Sequence, residues 1–390
     1  MKKVLFVCYG LGIGGIEKCL VNLINTMPEQ EYSVDLLLLN PEYELKSGIK
    51  RHVKYLEFLD YAMNTTDTIK EIQKHGGIAK NLLTVCRYCA FRVAVKLEMD
   101  SWKLFRSIET AYDIAVAYSH HDYSPYYVID KVKAKRKVLW YHNGAYEESG
   151  KRAQLDQKYY PRFDTVVAVS NDCAKVLKRT FPFQDKQLIV LRNICDADEI
   201  IRKSKESLTD IFGEKALHIV TVGRLTKEKG AEIALDVCAT LASEGRNFIW
   251  HWIGDGNQHE FIQSEIENRD LKGYFRLEGN KVNPYPYMNA ADLYVQPSFY
   301  EAYSTTITEA MILCKPIITT DVGGMRDQLR NLETGIIVPI DVSSLTDAIR
   351  GLIDNKERRM QLSMQLMQER YDTRKCLDDY WKTVFSEVER

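Results

Sequence analysis

The chain has 390 residues, 45% of them hydrophobic, and a formal net charge of −1, a globular composition with room for two or three domains. So balanced a charge gives no field to recruit nucleic acid, and no apolar stretch is long enough to span a bilayer. The nine cysteines are odd in number and scattered, which points to reduced thiols in the cytoplasm, with at most a peripheral place on the inner membrane face, and excludes a disulfide framework.

Taken in chain order, "MKKVLFVCYG" is too short an apolar run for a signal peptide and reads as a first buried strand. "GGIEKCLVNLINTM" follows as a helix, with Ile16, Leu20, Leu23, Ile24 and Met27 on its apolar face. In "GLGIGG" the glycines Gly10, Gly12 and Gly15 match a dinucleotide fingerprint, a weak signal alone. The next strand, "YSVDLLLLN", ends on no acid that would hold an adenosine ribose, so a dehydrogenase is disfavoured. Residues 78–97 alternate Lys80, Arg87, Arg92 and Lys96 with apolar residues. They read either as an amphipathic helix on an anionic membrane or as a core helix with a basic outer face. Within them Cys86 and Cys89 form a lone CxxC, expected as buried small residues and not as a zinc or redox site.

Strands "YDIAVAYS", "RKVLWYHN", "DTVVAVSN" and "LIVLRN" complete the first half, with the helix "NDCAKVLKRTF" capped by Ser170 or Asn171. The polar stretch "DADEIIRKSKESLTDIFGEKA" has the composition of a linker plus one surface helix. The alternation then restarts with "LHIVTVGR", "NFIWHWIG", "YFRLEG", "DLYVQPS", "KPIITTD" and "TGIIVPI" as strands. The fold class is therefore α/β: two Rossmann-like, doubly wound parallel sheets in tandem. The expected domains are 1–195, 196–370 and a C-terminal helix, 371–390, packing back on the first through Leu377, Tyr380, Trp381, Val384 and Phe385. Ligands of such sheets bind at the carboxyl ends of strands, and the natural place for chemistry is a cleft which the two sheets face.

Two constellations carry chemistry. In "VTVGRLTKEKGAEIAL" a strand ends at Gly223, and Arg224 and Lys229 follow at a strand-to-helix turn. A guanidinium fork and a compact ammonium suit a diphosphate, and they equally suit two solvated loop cations. In "PSFYEAYSTTITEAM", Ile307, Ala310, Met311 and Cys314 have helical spacing and Ser304 stands at the N-cap. The helix N-terminus at Tyr303, Ser304 and Thr305 is then an anion site. Glu309, one turn in, either accepts from a vicinal diol or merely complements the helix dipole. Glu301 lies on the loop before the helix.

Together "VGRLTKEKG", "GDG", "EGNKVNPYPYMNAADLYVQPSFYEAYSTTITEAM" and "CKPIITTDVGGMRD" resemble, in order and spacing, glycosyltransferase family 4. That family is retaining, uses nucleotide sugars and has the GT-B fold; its Glu, seven residues, Glu signature is here Glu301 and Glu309. "GLGIGGIEKCLVNL", "WYHNG", "VVAVSNDCAKVL" and "LRNICDADEI" extend the resemblance over most of the chain, residues 55 to 110 excepted. "NPYPYM" and "LRNICDADEI" are most similar to capsule and exopolysaccharide enzymes.

The resemblance implies that Arg224 and Lys229 neutralise the donor diphosphate and its leaving group. Glu309 would hold the ribose, the amides of Tyr303, Ser304 and Thr305 the distal phosphate, and Glu301 and His142 the donor sugar. Gly14 and Gly15 would let backbone approach the donor closely, Gly223 would end the strand beside it, and Glu278 to Val282, with Asn280, would line the base pocket. Read from the residues themselves, His120 and His121 could with Asp122 hold a metal, but adjacent histidines point apart on an extended chain and are expected instead to line the acceptor side; the resemblance implies no cofactor, since the two cations replace one. The chain departs from the family pattern at Ala302–Tyr303–Ser304, where an alanine for glycine is expected to cost backbone freedom.

The expected function is transfer of a hexose, with retention, from a UDP-sugar to a saccharide acceptor carried on a polyprenyl lipid, in surface polysaccharide synthesis at the inner membrane surface. A UDP-sugar epimerase or hydrolase on the same scaffold would turn donor over without acceptor. A non-catalytic nucleotide-sugar binder would turn over nothing.

Overall fold

The computed structural model describes residues 1–385 apart from 13, 40–43, 57–81, 83–85, 87–88, 91, 94–99, 106, 121, 147–148, 185, 207–211 and 214. Among the described residues thirteen strands form two sheets of seven and six, every neighbouring pair parallel. The chain divides into two compact units. One holds Met1–Val169, Cys173–Leu191 and the segment from Cys376 onward; the other holds Ser170–Asp172 and Arg192–Lys375.

The first unit contains β1 (Lys2–Cys8), β2 (Tyr32–Leu38), β3 (Val53–Leu56), β4 (Ile108–Ala117), β5 (Val132–Tyr141), β6 (Thr165–Ala168) and β7 (Leu188–Val190), in the order β3-β2-β1-β4-β5-β6-β7. Helices α1 (Gly15–Thr26), α2 (Ser124–Lys131), α3 (Gly150–Tyr159) and α4 (Asn171–Thr180) alternate with them. Val4, Leu5, Phe6 and Val7 are fully buried, as a central parallel strand covered on both faces requires. Leu5 and Val7 join the core cluster of one face. Toward the other, Phe6 meets Phe385 at 6.4 Å between ring centroids and Tyr118 at 6.1 Å.

The C-terminal helix Leu377–Thr383 covers that second face: Tyr380 packs on Trp140 and Trp381 stacks on Tyr32, with centroids 5.6 and 5.9 Å apart. Its last carbonyls have no partners within the helix. Arg136 donates to Thr383 and Val384 carbonyls at 2.6 and 3.0 Å, and Lys2 to that of Phe385 at 3.0 Å.

The second unit contains β8 (Leu217–Val222), β9 (Phe248–Ile253), β10 (Phe275–Gly279), β11 (Leu293–Gln296), β12 (Ile317–Thr320) and β13 (Ile336–Val338), in the order β10-β9-β8-β11-β12-β13. Its helices are α5 (Ala197–Ser204), α6 (Ala231–Ser243), α7 (His259–Asn268), α8 (Tyr285–Ala290), α9 (Thr305–Ile312), α10 (Met325–Gln328), α11 (Val342–Asp354) and α12 (Lys356–Glu369). One core lies on each face of the sheet. In both sheets the order reverses once, between β1 and β4 and between β8 and β11, which is where loops splay apart and open a crevice.

The surface helix expected in the polar stretch is α5, whose Ala197 and Ile200 face inward and share a core with Met288, Ile307 and Met311, while Asp198, Ile201 and Arg202 face outward. One expectation is corrected. Cys86 and Cys89 are exposed, and Leu82 and Val93, at helical spacing with them, are exposed too. Apolar residues here face outward. The remainder of residues 78–97, read either as a membrane-surface helix or as a core helix, lies mostly outside the described residues, as does His121. Among the described residues no helix is long and apolar enough to cross a membrane.

Candidate active site

The second unit's switch point assembles the two constellations. After β8 the chain passes Gly223 and Arg224, turns through Lys227–Lys229 and enters α6 at Gly230. Gly230 has φ +76°, and a Cβ there would lie 2.0 Å from the Pro297 carbonyl oxygen. Only glycine permits both the left-handed backbone and the approach. The loop after β8 is thereby pressed against the loop after β11, and a hydrogen bond from the Phe299 amide to the Glu228 carbonyl, 2.8 Å, ties them again. The "GDG" motif braces the loop from its other side. A Cβ at Gly254 would lie 2.0 Å from the Gly223 carbonyl oxygen, and one at Gly256 2.4 Å from that of Leu225.

This juxtaposition sets Lys229 Nζ 2.7 Å from Glu301 Oε1. Ser298 donates to the same oxygen at 2.9 Å. Gln296 donates to Ser298 Oγ and takes bonds from Tyr294 and Thr306 on its oxygen. The carboxylate is thus buried, charge-paired and oriented, an arrangement in which losing one partner is costly. Arg224 differs: its side chain is 70% exposed and pairs with Glu228 at 2.8 Å. Such an exposed pair is weak enough to exchange for a phosphate.

α9 starts from the expected cap. Ser304 Oγ accepts from the Ile307 amide at 3.3 Å. Gln328 then clamps the cap residue in both directions, its oxygen taking the Ser304 amide at 2.8 Å and its nitrogen reaching the Ser304 carbonyl at 2.7 Å. The Ser304 amide, expected to bind phosphate, is therefore engaged by Gln328, because a buried side-chain amide matches a backbone donor and acceptor together. Glu309 is 2% exposed, and Tyr285 of the "NPYPYM" motif donates to its Oε1 at 2.9 Å. Tyr303 is buried with its hydroxyl 3.2 Å from that of Tyr371, and Thr305 opens α9 half-buried.

Ala302 does not carry the expected backbone cost: it is absent from the positive-φ residues among those described. The special backbone is across from it, at Gly324, φ +78°, whose Cβ would lie 2.1 Å from the Ala302 oxygen. Asn280 is exposed and Val282 is 85% exposed, so the proposed base-pocket loop presents an open surface. Its first residue, Glu278, points instead to His251 Nδ1 at 2.9 Å, and His251 Nε2 lies 3.0 Å from His218 Nδ1. His218, His251 and Gln328 were missed from sequence, as was the part that Tyr285 plays; Glu278 was assigned to the base pocket and not to this row. The members lie apart along the chain, so no local pattern announces their pairing.

The structure brings together Lys229, Glu301, Ser304 and Thr305, with Arg224 and Gly223 on the adjoining loop. Gly14, Gly15 and His142 belong to the first unit. Gly14 caps α1 and Gly15 begins it, just past β1. A Cβ on Gly14 would meet the Glu17 carboxylate at 2.1 Å. His142 directly follows β5, its ring 4.8 Å from that of Tyr118. Among the described residues no group of three or more His, Cys, Asp or Glu side chains is placed to hold a metal ion.

Comparison with known proteins agrees with this construction. Residues 204–366 match the family model "Glycosyl transferases group 1", and residues 13–199 match "Glycosyltransferase Family 4". The chain belongs to glycosyltransferase family 4. The two matches meet between residues 199 and 204, close to the division of the units at Leu191 and Arg192, and residues 204–366 contain both acids of the signature. A curated relative from Campylobacter jejuni is 23% identical to this glycosyltransferase over 365 residues, 92% of each chain. It is an N-acetylgalactosamine-N,N'-diacetylbacillosaminyl-diphospho-undecaprenol 4-alpha-N-acetylgalactosaminyltransferase. A 2-deoxystreptamine N-acetyl-D-glucosaminyltransferase from Niallia circulans is 31% identical over 150 residues, a match that spans only 38% of either chain. Among solved structures, Anabaena HepE in complex with UDP and glucose superposes with a TM-score of 0.74 over 99% of this chain and 100% of that one. Its 16% identity establishes the fold alone. That fold is GT-B, with two Rossmann-like parallel-sheet domains.

Proposed function

We propose that this glycosyltransferase moves a hexose, with retention of anomeric configuration, from a UDP-sugar to a saccharide acceptor carried on a polyprenyl lipid, in surface polysaccharide synthesis. The observation that carries the reading is the Lys229–Glu301 pair, held at the second sheet's switch point beside the N-terminus of α9. Arg224 and Lys229 bring two positive charges to that point, where a leaving diphosphate would develop negative charge. In the proposed step the donor's C1–O bond to the phosphate breaks, the acceptor oxygen bonds C1 on the same face, and the acceptor's proton passes to the leaving phosphate oxygen. Glu309, oriented by Tyr285, takes the ribose diol, and Glu301 and His142 take sugar hydroxyls. Gly14 and Gly15 give the donor close backbone approach. Asn280 and Val282, both exposed, line the base.

UDP and glucose bound in the Anabaena structure support the donor class. The diphospho-undecaprenol in the Campylobacter relative's name supports the acceptor class. The test is an anomer-resolved NMR spectrum of the product made from UDP-glucose, UDP-N-acetylglucosamine or UDP-N-acetylgalactosamine. Retention is expected, and turnover is expected to persist in EDTA because the charge is supplied by Arg224 and Lys229. An inverted product would sink the mechanism, donor consumption without acceptor would point to a hydrolase or epimerase, and loss of activity in EDTA would overturn the two-cation account.

A further inference from the structure

The first unit carries a buried polar hub that the proposed chemistry leaves unused. On α3, Arg152 and Asp156 stand one turn apart. Asp156 is 3% exposed, and burial pushes its carboxyl above the usual aspartate range against the pull of Arg152 and the surrounding hydroxyls. Tyr126 donates to its Oδ1 at 2.6 Å and Tyr146 to its Oδ2 at 3.2 Å, while Arg152 Nε lies 3.5 Å from Oδ1. The guanidinium also sits 5.2 Å from the Tyr126 ring centroid. Held on these sides, Arg152 sends Nη2 to the carbonyl oxygen of His120.

His120 lies just past β4, and His142 just past its neighbour β5. The His120 ring is buried, packs 4.3 Å from the Tyr141 ring, and accepts the His142 amide proton on Nδ1 at 3.3 Å. That acceptor role assigns the neutral ring's proton to Nε2. Further along, Tyr141 donates to the Ala145 carbonyl at 3.1 Å, and Tyr146 is pinned by Asp156. A continuous chain of contacts therefore runs from Asp156 through Arg152 and the His120 main chain and ring to the His142 amide. The loop His142–Tyr146 is held at both ends. Stability alone does not call for such a hub, since apolar side chains of the same volume serve as well as a buried ion pair or better. What they could not do is aim a guanidinium at one carbonyl.

We infer that Arg152, held by Asp156, is a positioning residue that sets His142 through His120 at the carboxyl edge of the first sheet. This rests on the reading of His142 as a contact to the transferred sugar.

The test uses the full chain, with Arg152→Ala, Arg152→Lys, His142→Ala and the double variant. Hydrogen exchange at the His142 amide is expected to accelerate tenfold or more in Arg152→Ala, and less in Arg152→Lys, with core strand amides unchanged. An unchanged His142 amide in a folded variant overturns the inference. If Arg152→Ala does not fold, Arg152→Lys decides alone, since it keeps the charge beside Asp156 and loses the fork. For turnover of whichever of UDP-glucose, UDP-N-acetylglucosamine and UDP-N-acetylgalactosamine the wild type uses, Arg152→Ala is expected to lower kcat tenfold or more. UDP affinity, held by the other unit, should stay within twofold. In the His142→Ala background the same change should cost less than twofold, and fully additive losses would overturn the inference. A wild type that transfers from none of the three donors sinks the functional reading, and the exchange result then judges the contact chain by itself.

Discussion

Lys229 faces two demands. It neutralises Glu301 at 2.7 Å, and in the proposed mechanism it also meets the donor's diphosphate. A compact ammonium with three donors can serve both, provided that Glu301 keeps its other partners, Ser298 and Gln296. Lys229→Ala should then do two separable things. Leaving the buried carboxylate without its cation should cost roughly 2 kcal/mol of stability. Removing charge stabilisation from the leaving group should lower transfer by roughly 10²–10³-fold. Adding Glu301→Gln to Lys229→Ala should restore much of the stability and none of the transfer. Chemical denaturation and steady-state kinetics on the two variants check this, and a Lys229→Ala enzyme with wild-type turnover would remove Lys229 from the chemistry. Ala302 gives a contrary lesson at the same scale. Its departure from the family pattern is conformationally silent, because the left-handed backbone at this turn belongs to Gly324.

Strands β8, β9 and β10 of the second sheet carry a feature with its own pH dependence. His251 on β9 donates from Nδ1 to Glu278 on β10 and accepts on Nε2 from His218 on β8, the tautomers being assigned from this network. Burial first, and then the charges of His218 and Arg276, hold the His251 ring below the usual 6.5, although Glu278 pulls it upward. Phe212 packs against both rings, and Lys281 acts on Glu278. As pH falls through about 6.5 the unfolded chain takes up a proton that the folded ring refuses, so stability present above that pH is lost below it. Glu278, itself lowered chiefly by the His251 hydrogen bond, adds loss of the same sign below about 4.5. The thermal midpoint should therefore fall between pH 7 and pH 5. His251→Gln should flatten the slope, and a variant curve as steep as the wild type's would place the acid sensitivity elsewhere.

For the whole molecule, the last described residues matter more to the first unit than their position suggests. Phe385, Val384 and Tyr380 are buried against β1, β2 and β5. Phe385→Ala should cost about 3–5 kcal/mol. A chain ending at Lys375 should lose the cooperative unfolding of the first unit and keep that of the second, as seen by calorimetry with UDP, which should raise only the second unit's transition. A truncated chain with both transitions intact would show that the C-terminal segment is dispensable.

Strand and helix order, the parallel sheets and the pairing of a cationic turn with a capped helix were legible in the sequence. They depend on local periodicity, on glycine punctuation and on the spacing of Glu301 and Glu309, which neighbouring residues set among themselves. The partners of those residues were not legible. That Gln328 occupies the Ser304 amide, that Tyr285 orients Glu309, and that Cys86 and Cys89 face outward all depend on surfaces brought together from distant parts of the chain. Arg152 and Asp156 stand in plain i, i+4 spacing, yet nothing in that spacing says which carbonyl the guanidinium will find. The chain by itself determined which groups could do the chemistry. Only the tertiary structure decided which of them are already engaged, because a buried hydrogen bond needs a partner within about 3 Å and the sequence is silent about distance.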